Sequence, residues 1–265
     1  MSTRAESRGE RLVRAAAPPA IAFVLFLSLW EAVVKGFGLK PYFLTAPSTI
    51  WGEFTKNFGR IWDACRVSGT NALIGLLCGT VLGIAVAFVV RRFRKLDEII
   101  TPLAISLNAI PIFVLVTVFS NMFATTSDVP RRLTVTLGVF FVVLVNVAKG
   151  LTQVSATHLE LMRSYAASET EIMRKVRIPN AVPYLFTALK VAAPLAVITA
   201  FVSEYFGGNQ SGLGSKITGS LSTSKNAVAW AYVFGACLLG LAFYLISIMV
   251  ETVATPGGVN KRGRS

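Results

Sequence analysis

Histidine is nearly absent from this chain: His158 is the only one, and the three cysteines, Cys65, Cys78 and Cys237, lie far apart. With no CxxC pair and no Cys/His cluster, neither a metal centre nor a disulfide scaffold is expected. Cys78 and Cys237 fall in apolar runs and are read as small packing residues. Charge is scarce as well, at 15% of the residues, where soluble domains carry about 25%. Acids are scarcer than bases, 13 Asp and Glu against 26 Lys and Arg, for a net charge of +13. No G-x-x-x-x-G-K-[ST] phosphate loop occurs, so this polypeptide is not expected to bind ATP through that motif. A lone histidine is poor material for a convergent nucleophile and base, which weighs against a membrane enzyme.

What the chain has instead is apolar residues, 54% of the total, in several runs approaching the ~20 residues that cross a bilayer's hydrocarbon core. The expected fold class is an all-α polytopic membrane protein with spans near 20–38, 67–90, 99–123, 133–148, 184–206 and 227–250. Residues 1–17 form a basic tail, 18–252 the membrane domain and 253–265 a second basic tail. The first apolar run follows a basic segment without a small-residue cleavage site and is read as an uncleaved span. The positive charge is read as an orientation signal rather than a nucleic-acid footprint. Arg4, Arg8, Arg11, Arg14, the run RRFRK (91–95), Arg163, Arg174, Lys175, Arg177 and Lys261 all fall on one side of such a six-span layout. That bias places both termini and the loop around 155–180 in the cytoplasm.

Several stretches carry finer expectations. Ile50, Trp51, Phe54, Phe58, Ile61 and Trp62 recur at helical spacing, which suits a short helix lying on the membrane surface or packed on the protein's own spans. Gly75, Gly79 and Gly83 stand four apart in the second span, a small-xxx-small face permitting close helix approach. Pro102 and Pro111 interrupt the third span, with Asn108 between them. Proline removes a backbone donor and opens a kink, so this span either lines a pathway or is a kinked packing helix. Glu204 ends the fifth span where it meets a glycine-, serine- and asparagine-rich external loop, 207–226, as part of an outer gate, a contact for a partner, or a carboxylate paired with a neighbour. Lys190, within that span, either snorkels to the interface or faces an anionic solute. A secondary transporter is the main rival reading, but it would want buried ion-coupling carboxylates that this chain almost lacks.

The longest charged interruption is THLELMRSYAASETEIMRKVRIP, residues 157–179. Thr157-x-x-Glu160 and Ser168-x-x-Glu171 both fit a capping box, with Ser155 as an alternative first cap. Two short helices, roughly 157–166 and 169–178, are expected, and Pro179 should discourage the second from continuing. Leu159, Met162 and Ala166 share a face of the first; Ile172, Met173 and Val176 do so on the second. Small apolar stripes flanked by charge suit a rigid knob pressed into a groove of another protein, or a helix pair lying on its own membrane domain.

From Glu160 through Met162, Arg163, Ala166, Ser168 and Glu171 to Ile178 and Pro179, this segment resembles the EAA loop of bacterial ABC-importer permeases. Glu160 keeps the family glutamate, while Leu161 and Met162 replace two alanines and Ala166 replaces a glycine. The glycine's left-handed freedom is costly for Ala166, so either the turn uses right-handed torsions or its shape differs. The resemblance extends over about residues 40–250, through TAPSTIW (45–51), RRFRKLDEIITPL (91–103), LNAIPIF (107–113) and SEYFGGNQSGLG (203–214). That order is similar to the nitrate/sulfonate/taurine branch of type I importers, which includes pyrimidine-precursor and riboflavin importers; the EYFGG form leans toward a heterocycle. The resemblance implies a non-enzymatic transport subunit in a bacterial inner membrane. It implies two separate ATPase subunits that bind ATP and Mg, a second permease (the same or a paralogue), a periplasmic solute-binding protein and surrounding lipid. It implies an ATPase-coupling role for the loop residues just named, and a pathway or gate that includes Asn108, Pro111, Glu204, Gly212 and Gly214.

Overall fold

The computed structural model describes residues 8–93, 106, 110–123, 127–207 and 211–255, with backbone only at 8–16 and 92. Among these every regular element is helical. In chain order they are α1 (Arg8–Gly36), α2 (Pro47–Lys56), α3 (Phe58–Arg92), α4 (Ile112–Met122), α5 (Val129–Thr152), α6 (Ala156–Ser164) and α7 (Glu169–Ile172). A π-helical turn, Met173–Arg177, then leads into α8 (Ile178–Phe206), followed by α9 (Leu213–Ser222) and α10 (Asn226–Ala254).

Five helical stretches are long and apolar enough to cross a membrane: Ala17–Gly36, Phe58–Arg91, Val129–Thr152, Glu169–Phe206 and Asn226–Ala254. They match five of the six expected spans. The third, 99–123, lies outside the described residues over 99–105 and 107–109, which include Pro102 and Asn108, and α4 is its C-terminal part. Large apolar side chains stay exposed along α1 (Phe23, Leu25, Leu29), α3 (Leu77, Val81) and α10 (Leu241, Ile246, Met249). An outward apolar surface of this extent is stable against hydrocarbon, not water.

The core is built on α5, which packs along α3 on one side and α8 on the other. The glycine stripe sets the first of these contacts. A Cβ on Gly79 would stand 2.6 Å from the Thr136 carbonyl oxygen and 2.7 Å from Val139 Cβ, and one on Gly83 2.8 Å from Val143 Cβ. One on Gly75 would collide with Val135. Three glycines four apart thus take up three valines four apart, and the backbones meet at a distance that no larger residue permits.

Three expectations are corrected. The aromatic-rich stretch before the second span is not one surface helix, because α3 begins at Phe58 rather than near 67. Asn57 serves as the cap of both α2 and α3, with Nδ2 donating to the Glu53 carbonyl at 3.0 Å and its own carbonyl accepting from Ile61 at 3.0 Å. Phe54, Ile61 and Ala64 are then buried against Leu213, Ile217 and Tyr232, so packing on the protein's own helices decides this stretch. Second, the Gly/Ser-rich segment after the fifth span carries a helix, α9, whose Leu213 and Ile217 are buried. Third, Pro179 does not stop the helix before it. The chain runs helically from α7 into α8, with the Ile178 amide donating to the Met173 carbonyl across the wide turn. The π turn adds one residue to the ladder immediately ahead of the proline, whose missing N–H then falls in the first turn of α8.

Candidate functional site

The connection between α5 and α8 is a protruding element on a fixed base. At the base, Arg177 is buried and donates from Nη1 to the Leu151 carbonyl at 2.9 Å. Asn180 Nδ2 donates to the carbonyls of Gly150 (2.7 Å) and Gln153 (3.0 Å). The Tyr184 hydroxyl donates to Gln153 Oε1 at 3.1 Å. Arg177 and Asn180 thus satisfy backbone carbonyls at the end of α5 that no further helical turn can reach, and Tyr184 holds the side chain of its C-cap Gln153. Gly150 lets the two helices close up here, because a Cβ on it would lie 2.8 Å from Ala181 Cα. Ile172 is 1% exposed and Met173 packs on the main core, so the second half of the loop is anchored.

The first half is not anchored: α6 has no buried residue. Glu160 and Arg163 are exposed, and so are Leu161 and Tyr165, at 51% and 76%. Met162 is half-buried and, with His158, Leu161, Lys175 and Val176, lines a shallow cleft of about 340 Å³ between α6 and the π turn. The Thr157 capping box does not form. The N-cap is Ser155, without a side-chain hydrogen bond, and Thr157 and Glu160 both lie inside the helix.

The Ser168 box does form. The Glu171 amide donates to Ser168 Oγ at 3.3 Å and the Ser168 amide donates to Glu171 Oε2 at 3.0 Å. Lys175 pairs with Glu171 at 3.4 Å on the solvent side. Ile178 and Pro179 follow as exposed residues of the first α8 turn.

Between the two helices, Ala166 takes a left-handed conformation, φ +52°. Its amide donates to the Arg163 carbonyl at 2.9 Å and the Ala167 amide to the Met162 carbonyl at 3.0 Å. That pair of bonds is the Schellman closure of a helix, which normally places glycine where Ala166 stands. The turn therefore keeps the left-handed shape despite the side chain.

At the other end of the bundle, Glu204 is 1% exposed. Ser68 Oγ donates to Glu204 Oε2 at 2.6 Å and accepts from the Leu213 amide at 2.9 Å, while the Gly214 amide donates to Oε2 at 3.3 Å. Asn71 and Arg131 stand within electrostatic reach of the carboxyl. Arg131 is itself buried and donates to Asp128 Oδ1 at 2.6 Å. A Cβ on Gly212 would strike the Glu204 carboxyl, and one on Gly214 the Phe201 carbonyl oxygen. Glu204, Gly212 and Gly214 thus form one knot that ties α9 to α3 and α8. A direct contact of the Glu204 carboxylate with another protein is ruled out in this arrangement by its burial. Pro111 is the exposed N-cap of α4, whose Phe113 ring lies 6.3 Å from that of Phe206 at the end of α8, and Asn108 lies outside the described residues.

Lys190 pairs with Glu251 of α10 at 2.8 Å. Sequence reasoning missed that pair, the Arg177 and Asn180 clamp and Ser68. Each joins residues far apart in the chain with no local pattern to connect them.

The family model described as "Binding-protein-dependent transport system inner membrane component" matches residues 79–255. The formylaminopyrimidine transport permease protein ThiX of Halalkalibacterium halodurans is 27% identical over 240 residues, 90% of this chain and 94% of the relative. The riboflavin transport system permease protein RibX of Chloroflexus aurantiacus is 23% identical, over 87% and 86% of the two chains. The nitrate import permease protein NrtB of Leptolyngbya laminosa is 22% identical, over 92% and 88%. Among solved structures, a chain of the MetNI methionine ABC transporter in an inward-facing conformation shares the fold. Its TM-score is 0.57 at 17% identity, covering 74% of this chain and 94% of the other. The chain belongs to the binding-protein-dependent transport system inner membrane components, as a membrane-spanning permease subunit of an ATP-binding-cassette importer.

Proposed function

We propose that this permease is driven through the 155–180 loop by a separate pair of ATPase subunits, which carry the ATP and Mg. The observation behind this is the contrast within the loop. A helix with no buried residue stands on a base held by Arg177, Asn180 and Tyr184. A knob of that kind transmits a push without folding away, as a two-state element requires. Glu160, Met162, Arg163 and Ala166 form its outward part; Ser168, Glu171, Ile178 and Pro179 hold its return into α8.

In this reading the loop and both termini face the cytoplasm across a bacterial inner membrane. A second permease, identical or paralogous, completes the pathway, and a solute-binding protein delivers cargo to the opposite end. Asn108 and Pro111 belong to the pathway. Glu204, Gly212 and Gly214 serve an outer gate by holding α9 in place. Choice of cargo rests largely with the binding protein, as the spread of the relatives' names over formylaminopyrimidine, riboflavin and nitrate suits.

The test is reconstitution with the partner ATPase and binding protein in proteoliposomes. Glu160→Lys should leave the permease in the membrane and lower ATP-driven uptake about tenfold, as expected for a charge reversal at a docking contact. Unchanged uptake and ATPase stimulation in that variant would remove Glu160 from the contact. Active, ATP-independent transport by this chain alone would overturn the whole reading.

A further inference from the structure

We infer that this chain carries its own binding site for a small oxyanion, at the end of the bundle opposite the 155–180 loop. A cavity of about 570 Å³ opens there between the start of α3, the end of α8, α9 and the start of α10. Its volume falls in the range of about 300–1,000 Å³ typical of small-molecule sites. Three cations from three different elements line it: Arg60 of α3, Lys216 of α9 and Lys225 at the N-cap of α10. Among the described residues none of the three has a carboxylate partner within ion-pair distance, as is also true of Lys40, Arg66, Lys149, Arg163 and Arg174.

Among the described residues Glu204 supplies the only carboxyl in the lining. It is 1% exposed, and its Oε2 is already engaged by Ser68 and Gly214. The lining is therefore net positive, with cations brought together from separate helices against no neutralising group at the surface. A concave lining of one sign focuses the field and raises the local concentration of small anions.

The neutral groups complete the chemistry. The hydroxyls of Thr218 and Thr223 donate back into α9, to the carbonyls of Gly214 (3.1 Å) and Gly219 (3.0 Å), so they do not serve as donors to a ligand. The Tyr232 hydroxyl has no hydrogen-bond partner among the described residues and lies within electrostatic reach of Arg60. Donation to a ligand thus falls to a guanidinium, two ammonium groups and a phenol. A guanidinium offers a planar fork matched to two oxygens of one anion, and the ammonium groups act as point charges around it. This donor set fits a sulfate, sulfonate, carboxylate or phosphate group and has nothing to offer a cation. The cavity also adjoins the Glu204 knot, so an anion bridging Lys216 to Arg60 would fasten α9 to α3 from the outside.

The experiment is equilibrium dialysis of radiolabelled inorganic sulfate against the full chain in neutral detergent, at fixed sodium chloride, with methanesulfonate as competitor. No ATPase, ATP or binding protein is present, so the outcome is independent of the transport reading. Wild-type protein should bind saturably, near one sulfate per chain, and methanesulfonate should displace it. Arg60→Gln and Lys216→Gln should each weaken binding roughly ten- to a hundredfold, as loss of a charged hydrogen bond implies. Lys56→Gln, at an exposed lysine of α2 outside the cavity, should change it less than twofold. Circular dichroism and gel filtration of each variant confirm that the fold is kept. Absence of saturable sulfate binding to the wild type would overturn the proposal. So would saturable binding that Arg60→Gln and Lys216→Gln leave intact, or that Lys56→Gln weakens equally.

Discussion

Ser68 and Glu204, on helices α3 and α8, share a hydrogen bond of 2.6 Å with both side chains buried. The same hydroxyl oxygen accepts from the Leu213 amide, so one atom joins three elements. Ser68→Ala would leave the Glu204 carboxyl and the Leu213 amide short of a partner in the interior. An orphaned buried polar group costs about 1–3 kcal/mol. The expected outcome is a lower unfolding temperature in detergent and faster amide exchange across 212–222. Ser68→Thr, which keeps the hydroxyl, should recover part of the loss.

The glycine stripe of α3 allows a prediction with an internal control. A methyl at Gly79 meets a backbone carbonyl at 2.6 Å and Val139 Cβ at 2.7 Å, neither of which is the loose end of a flexible chain. Gly79→Ala should destabilise by about 1–3 kcal/mol, the usual range for forcing extra volume into a close contact. Gly59, on the same helix, has open space where a Cβ would go. Gly59→Ala should be neutral or stabilising by about 0.5–1 kcal/mol through helix propensity. Thermal unfolding of the two purified variants separates the cases; equal shifts would mean that the stripe is not a packing face.

That stripe was legible because a helix places residues four apart on one side, so Gly75, Gly79 and Gly83 announce a contact before its partner is known. The Ser168 and Glu171 cap was legible for the same reason, being a bond within four residues. The failures follow from the same logic. Thr157 and Glu160 satisfy an identical pattern but lie inside α6, because the helix starts one residue after Ser155. Pro179 obeys its local preference only if the ladder is regular, and the π turn removes that condition. Helix α9 had a signal, Leu213, Ile217 and Leu221 at four-residue spacing, masked by the surrounding glycine and serine. Arg177, Asn180 and Ser68 had none, since each meets a group at least 26 residues away in the chain.

Ala166 is the strained point of the loop, at φ +52° with an exposed side chain. An L-residue in that region carries a cost of about 1–2 kcal/mol that glycine lacks. Glycine returns part of this through greater freedom in the unfolded chain, about 0.4–1 kcal/mol. Ala166→Gly should therefore stabilise the turn by up to about 1 kcal/mol, and Ala166→Val should weaken it, a β-branched residue being a poorer fit still. Hydrogen exchange at Ala166 and Ala167 reads both directions. Slower exchange in Ala166→Val than in the parent would show that the turn is not left-handed.

Lys190 and Glu251 join α8 to α10 at 2.8 Å, with side chains 30% and 17% exposed. Both sit on helices that cross the membrane, where a lone charge has few alternatives. Removing one member leaves the other uncompensated, so Lys190→Met and Glu251→Gln should each cost more than the pair contributes. The double variant should regain stability over the worse single one. A coupling of about 1–3 kcal/mol in the double-mutant cycle is expected for a close, half-buried pair. The coupling should persist when sodium chloride is raised to 0.5 M, because screening acts weakly on charges away from water. Additive losses, or a coupling that vanishes with salt, would make the contact a surface pairing with no part in holding α10 to the core.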